Sequence, residues 1–259
     1  MPPAFLAVAS QPSSQLSLNE FHDWYEEEHI PLRLNRLPSF LSGARYYAAD
    51  HDVSPPADET RPGWLAMYEI DDTQTFSDES YTNLRLQRSE REKGVMNRLS
   101  VLTRKTGELL GVWGEDEGTQ GIQTTGLKVG KPSEWIITHG ISATVSGDEG
   151  VIDLDDKLKK WAVIVTQILK EDSNGWIRTR LVKVLEKGVT KMGINAELEK
   201  EEESINYFAV HEFLDQGAAM SEATKAVIRR TCNQHLELAD WRIWKLLRAY
   251  PCIAQHNLH

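Results

Sequence analysis

Cysteine is nearly missing: Cys232 and Cys252 are the only two in 259 residues. That is too few for a disulfide framework or a structural zinc site, and the expectation is two buried thiols. Positive charge is short as well. Lys and Arg number 29 against 39 Asp and Glu, a formal net charge of −10, so the basic footprint that binding a phosphate backbone demands is lacking. No apolar run approaches the roughly 18 residues of a membrane helix. The start, Met1-Pro2-Pro3-Ala4-Phe5, has neither the positive region nor the apolar stretch of a signal peptide. The expected setting is the cytoplasm, with neither nucleic acid nor membrane as partner. Also missing are a Gly-x-Gly-x-x-Gly turn, a Walker loop, His-Glu-x-x-His, Cys-x-x-Cys and a Gly-x-Ser-x-Gly elbow. Their absence disfavours nucleotide-dependent, zinc-dependent and serine-hydrolase chemistry, and a reaction with no cofactor and no metal is the expectation.

What is present is ordinary globular material, 40% apolar and 26% charged, in alternating blocks. Residues 4–10 read as a strand ending at the polar turn Gln11-Pro12-Ser13-Ser14. Ser17 caps a helix with Glu20 three positions on, and Leu18, Phe21, Trp24 or Tyr25, and Glu28 or His29 recur at helical spacing until Pro31 ends or kinks it. Residues 42–48 predict a second strand, 50–62 a Pro- and Asp-rich loop, 64–70 a third strand, 77–99 a solvent-edged helix and 104–113 a fourth strand. The order is β-α-β-β-α-β, the ferredoxin-like unit.

The pattern then returns. Trp64-Leu65-Ala66-Met67-Tyr68-Glu69-Ile70 aligns with Tyr207-Phe208-Ala209-Val210-His211-Glu212-Phe213, and Glu108 to Gly114 with Lys245 to Pro251. Leu18, Phe21 and Trp24 find counterparts in Leu154, Leu158 and Trp161, and Phe5 in Trp135. The glycine-bearing stretch 115–131 reads as a linker. The expected organisation is a first repeat over 1–116, a linker over 117–131 and a divergent second repeat over 132–259. A four-stranded sheet with helices on one face must bury the other. The expected fold is therefore α+β: two ferredoxin-like repeats closing into a single-chain, pseudo-dimeric α/β barrel, monomeric or a homodimer.

The stretch Phe21-His22-Asp23-Trp24-Tyr25-Glu26-Glu27-Glu28-His29-Ile30-Pro31-Leu32-Arg33, followed by Leu37-Pro38 and Arg45-Tyr46, resembles the fungal EthD-type branch of the dimeric α/β-barrel proteins. The resemblance covers residues 4–113. At the place of His29 the second half has about Thr166 and no following proline, so one family-type site is expected. The related barrels include cyclases, decarboxylases, isomerases, cofactor-free monooxygenases and haem peroxidases, and the shape leaves the reaction open.

Residue by residue, His29 is placed by the resemblance near the cleft between helices and sheet. A helix C-terminus there would lift its pKa and suit a general acid or base; the alternative is that it caps the last carbonyls. Glu28 either orients that ring or is one of three solvated carboxylates. Tyr68 and His211 are equivalent polar groups on apolar strands, able to polarise a carbonyl in a dry pocket or to fill the core with a satisfied polar tip. Arg45 and Tyr46 either anchor an anion or pair locally. His139 and His235 show no metal spacing, His235 reading as a helix-face residue, and the acidic run 197–203 reads as solvated.

These readings give His29, Tyr68 and His211 as candidate catalytic residues and Trp24, Tyr25, Arg45, Tyr46, Trp64 and Tyr207 as substrate-binding ones. The expected function is a cofactor-independent tailoring enzyme of secondary metabolism, cyclising or isomerising a hydrophobic polyketide- or terpenoid-like intermediate. A decarboxylating or dehydrating lyase, and a non-catalytic binding or stress protein, are the alternatives.

Overall fold

In the computed structural model, residues 1–49, 58, 60–114, 124–143, 154–172, 175–231 and 236–256 are described. The strands are β1 (Ala4–Pro12), β2 (Phe40–Ala48), β3 (Trp64–Ile70), β4 (Leu99–Gly114), β5 (Trp135–Ala143), β6 (Trp176–Lys191), β7 (Ile194–Ala196), β8 (Tyr207–Phe213) and β9 (Leu236–Tyr250). The α-helices are α1 (Leu18–Trp24), α2 (Ile30–Leu34), α3 (Glu79–Leu86), α4 (Glu90–Met96), α5 (Leu154–Asp172), α6 (Lys200–Ser204), α7 (Gln216–Met220) and α8 (Glu222–Thr231). Eight strands hydrogen-bond in the order β4-β1-β3-β2-β9-β5-β8-β6, and β4 pairs back with β6 to close an antiparallel barrel. Each half of the chain is wound in one order: β4-β1-β3-β2 in the first and β9-β5-β8-β6 in the second.

Closure explains the unbroken burial of Ala4 to Val8 and of all of β8. One face of each strand looks into the barrel and the other lies under helices, so alternation between apolar and polar is lost. Phe5, Ala7, Tyr46, Met67, Phe208 and Trp244 belong to the inner core. Phe21, Trp24 and Tyr68 pack beneath the helices of the first half, and Leu158, Trp161 and Phe213 beneath those of the second. Each large apolar side chain so enclosed contributes about 2–3 kcal/mol. At the β4–β6 seam the backbones approach closely: a Cβ at Gly107 would lie 2.4 Å from the Lys183 carbonyl oxygen.

The structure corrects several local expectations. Pro31 does not end the first helix. A five-residue π-helical stretch, Tyr25–His29, joins α1 to α2, which carries Pro31 in its first turn, where a missing N–H costs little. Ser17 does cap α1, accepting from the Glu20 N–H at 3.2 Å. The helix expected over 77–99 is two short ones, capped afresh at Asp78 and Ser89. The fourth strand starts earlier, at Leu99, because β1 supplies it with a partner there, Pro12 opposing Leu99 and Gln11 opposing Val101. The match of Phe5 to Trp135 is one residue out. Trp135 faces Phe213 and lies under helices, whereas Phe5 faces Glu69 and points inward, as Ile136 does. A one-residue slip exchanges the two faces of a strand. Cys252 is buried; Cys232, His235, most of the 50–62 loop and residues 117–123 of the expected linker lie outside the described residues. The remainder of that linker, 124–131, folds against the barrel, with Leu127 fully buried in the inner core.

Candidate functional site

The sequence-predicted residues divide among three places. Trp24, Tyr25, His29, Arg45, Trp64 and Tyr68 come together beneath the helices of the first half. The His29 ring lies 4.4 Å from Trp24 and 5.0 Å from Tyr25, and the Arg45 guanidinium sits 3.9 Å above the Tyr25 ring. Tyr46 leaves this group, because residue 46 takes the opposite face of β2: its hydroxyl donates to the Ser133 carbonyl at 3.1 Å inside the barrel. Tyr207 and His211 lie under the other set of helices, so His211 is not brought to His29 and Tyr68.

His29 is not at a helix end, since α2 continues to Leu34. Without free terminal carbonyls, the expected upward shift of its pKa does not occur and the capping role is unavailable. Burial, together with the nearby Arg33 guanidinium, lowers it to about 4 against the opposing pull of Glu92. Nδ1 of His29 is 3.2 Å from Glu92 Oε1, a partner 63 positions away that local spacing could not reveal. The three carboxylates beside His29 are not merely solvated: Glu26 contacts Arg45, Arg248 and Tyr250, Glu27 pairs with Arg91, and Glu28 accepts from Ser89. Arg45 is thus locally paired, donating also to His22 Nδ1 at 2.9 Å.

In the second half, His139 and His211 form a buried pair with Nε2 atoms 3.0 Å apart. Thr179 lies 2.7 Å from His211 Nδ1, and the Trp176 indole N–H donates to the Thr179 hydroxyl. One proton arrangement satisfies every partner: Thr179 donates to His211, His211 to His139, and His139 Nδ1 to the Gly140 carbonyl at 3.4 Å. Both rings are then neutral, in keeping with burial lowering His139 to about 4 and His211 well below its usual value.

The cavity is elsewhere, inside the barrel at one end. It holds about 210 Å³, with apolar walls including Ala7, Ala9, Leu65, Phe208 and Trp244. Set into these walls is Lys105 of β4, 7% exposed, with Nζ 2.7 Å from Asp240 Oδ2 and 3.9 Å from Glu202 Oε1. Burial works against its charge, but Asp240 and Glu202 outweigh it and keep Lys105 above the usual lysine value. Glu202 is raised as well, in its case toward the neutral form: burial and the neighbouring Asp240 raise its pKa, although Lys105 opposes them. The acidic run is therefore not simply solvated, since Glu197, Glu199 and Glu202 line this cavity. Asp240 has a left-handed backbone, φ 52°. Asp240 and Trp241 together oppose His139 alone in the β5–β9 pairing, a bulge that aims Asp240 at Lys105 and stacks Trp241 on His139 at 5.7 Å. At the far end of the barrel, Arg180 joins Glu69 and Glu212, and the segment carrying Leu127 covers them.

Lys105, Asp240 and Glu202 were missed by sequence reasoning. In Thr103-Arg104-Lys105-Thr106 a lysine reads as a solvated strand residue, and only barrel closure buries it. Among the described residues no group of three or more His, Cys, Asp or Glu side chains could hold a metal ion, and no helix is long and apolar enough to cross a membrane.

No family model and no curated protein matches this chain. Solved structures do. An anthrone oxidase-like protein matches with a TM-score of 0.52 at 9% identity, covering 96% of this chain and 92% of its own. A Fusobacterium nucleatum protein assigned provisionally as a monooxygenase gives 0.52 at 8% identity, covering 96% and 94%. A heme-binding protein of Thermus thermophilus gives 0.50 at 10%, covering 95% and 92%. At such identities the likeness is one of fold: the chain shares the α+β barrel of these proteins.

Proposed function

We propose that this protein is a small-molecule enzyme that isomerises or cyclises a carbonyl-bearing, largely apolar substrate in the barrel cavity. One observation carries the reading: a buried lysine held cationic by two carboxylates in the wall of a partly apolar pocket at the open end of the barrel. An ammonium there stabilises negative charge as it develops on a carbonyl oxygen, and a low-dielectric wall strengthens the effect. Burial and Asp240 raise the pKa of Glu202, which makes its carboxylate a stronger base for proton transfer. In the proposed step the Glu202 carboxylate removes a proton from the carbon beside the carbonyl, and the electron pair moves to the oxygen facing Lys105. The enolate collapses either by reprotonation at another carbon, giving an isomer, or by attack on an electrophilic carbon of the same molecule. Glu202 returns the proton in both cases, so the product is isobaric with the substrate.

The names of the barrel relatives favour one second reading, a cofactor-free oxygenase, in which the same enolate would react with dioxygen. Haem suits this chain poorly: among the described residues no His, Cys or Tyr lines the barrel cavity, and 210 Å³ is below the roughly 300–1,000 Å³ of pockets for larger ligands. The identical winding of the two halves supports an internal duplication over 1–116 and 132–259, and the Trp-Tyr to Arg-Tyr stretch supports an EthD-type origin of the first half. Because the chain closes its own barrel, a monomer suffices.

The test incubates purified protein with metabolite extracts from a strain lacking its gene, with Lys105→Gln in parallel, and follows products by mass spectrometry and an oxygen electrode. An isobaric product formed about 10²–10³-fold more slowly by Lys105→Gln is expected. Oxygen uptake would transfer the case to the oxygenase, and an unchanged extract would overturn the enzyme reading.

A further inference from the structure

Across the β4–β6 seam, Lys105 stands opposite a second lysine, Lys187. Like charges set directly opposite one another repel, and burial and Lys105 both lower the pKa of Lys187, with Glu202 and Glu203 opposing them. What holds the ammonium there is backbone. Nζ of Lys187 donates to the carbonyls of Glu202 at 2.9 Å, Glu203 at 2.6 Å and Ile205 at 2.8 Å, two residues at the end of α6 and the one that follows it. A helix C-terminus leaves its final carbonyls without partners and carries partial negative charge, so a cation is favoured at that place. An ammonium has three N–H groups. Each of them has a carbonyl here, which leaves none for a molecule in the cavity.

We propose that Lys187 is a positioning residue of the barrel cavity: by gripping the end of α6 it holds the Glu202 carboxylate beside Lys105. A helix of five residues is far below the roughly 12–15 at which a helix sustains itself in water. Its N-cap, Glu199, makes no side-chain capping bond among the described residues. The chain is pinned on either side of it. Before α6, β7 pairs with β6, Ala196 opposing Val189. After it, Ile205 is fully buried in space that Gly140 leaves open, since a Cβ on Gly140 would lie 2.8 Å from the Ile205 side chain. The Asn206 N–H then donates to the Ile141 carbonyl at 3.0 Å. Lys187 sets the piece between these anchors, which carries Glu199 and Glu202 on the cavity wall. That this placement serves catalysis rests on the function proposed above; the placement itself does not.

Carboxyl ¹³C NMR of glutamate-labelled protein, with the Glu202 signal assigned by Glu202→Gln, reads the placement without a substrate. Removing a cation would by itself raise the Glu202 pKa. Freeing α6 does the reverse, because it takes Glu202 out of the burial that raises it most. In Lys187→Met, which keeps the aliphatic stem, Glu202 therefore titrates lower than in the unaltered protein. Lys187→Arg, with N–H donors for the same carbonyls, restores the original titration. Hydrogen exchange read by mass spectrometry is at least about tenfold faster over 197–204 in Lys187→Met and unchanged over β8, which shows the barrel intact; Lys187→Gln repeats both readings should the methionine variant not fold. In the extract assay Lys187→Met forms the isobaric product about 10²-fold more slowly. An unchanged extract alongside a displaced Glu202 sinks the catalytic reading and supports this one. A Glu202 titration that rises or stays, or unchanged exchange over 197–204, would overturn the proposal.

Discussion

Lys105 binds two carboxylates at the mouth of the barrel cavity, and its removal leaves Asp240 and Glu202 facing each other. Lys105→Met is expected to lose about 1–3 kcal/mol of stability at pH 7, read by urea denaturation. The loss shrinks as the pH falls and Glu202, whose pKa burial raises, takes up a proton, so that its repulsion with Asp240 fades. The histidines set a second dependence. His29 and His139, both lowered to about 4, and His211, also well below its usual value, are neutral in the fold but take up protons below about pH 6.5 when the chain unfolds. The unfolded state then binds more protons, so stability is fully present above about pH 6.5 and falls as the pH drops toward 4. Each histidine contributes at most about 1.4 kcal/mol per pH unit. His29→Gln therefore flattens the measured slope by one proton equivalent, although Glu92 and Arg33 remain around the site.

Among the elements, the β9 bulge is where backbone and chemistry meet. Asp240 holds φ at 52°, a conformation asparagine tolerates and alanine resists. Asp240→Asn should keep the bulge and lose the charge, whereas Asp240→Ala should lose both and be less stable than Asp240→Asn by about 1 kcal/mol. Trp241 fluorescence reports whether its stacking on His139 survives. Neither the bulge nor its purpose is legible in Leu238-Ala239-Asp240-Trp241-Arg242, because a bulge is defined by the strand opposite. What the sequence displayed was local. The bounds 64–70 and the Ser17 cap were readable from apolar spacing and from a hydroxyl followed three positions later by glutamate. The π-helical stretch was hidden because proline signals a break, and in the first turn of α2 it makes none. Glu92 beside His29 and Lys105 beside Asp240 were equally hidden, since each pair joins distant segments. The aromatic residues around His29 were recognised as one group, although the cavity lies on the other face of the sheet.

At the scale of the molecule, the two halves meet along two seams, β2 with β9 and β4 with β6. The side chains lining the barrel come from both, so neither half keeps its inner core if the other unfolds. A single cooperative transition is expected, with calorimetric and van't Hoff enthalpies in agreement; two resolved transitions would show the halves to be independent. Gly107→Val tests one seam directly, because its side chain would strike the Lys183 carbonyl, and it should lower the melting temperature.

The segment carrying Leu127 gives the barrel a floor. With the far end stoppered and the near end rimmed by Glu197, Glu199 and Glu202, the chamber works as a cul-de-sac rather than a corridor. With one doorway among the described residues, a molecule inside would have to leave before its successor entered. On the proposed function, a retained product would compete with fresh substrate for that threshold.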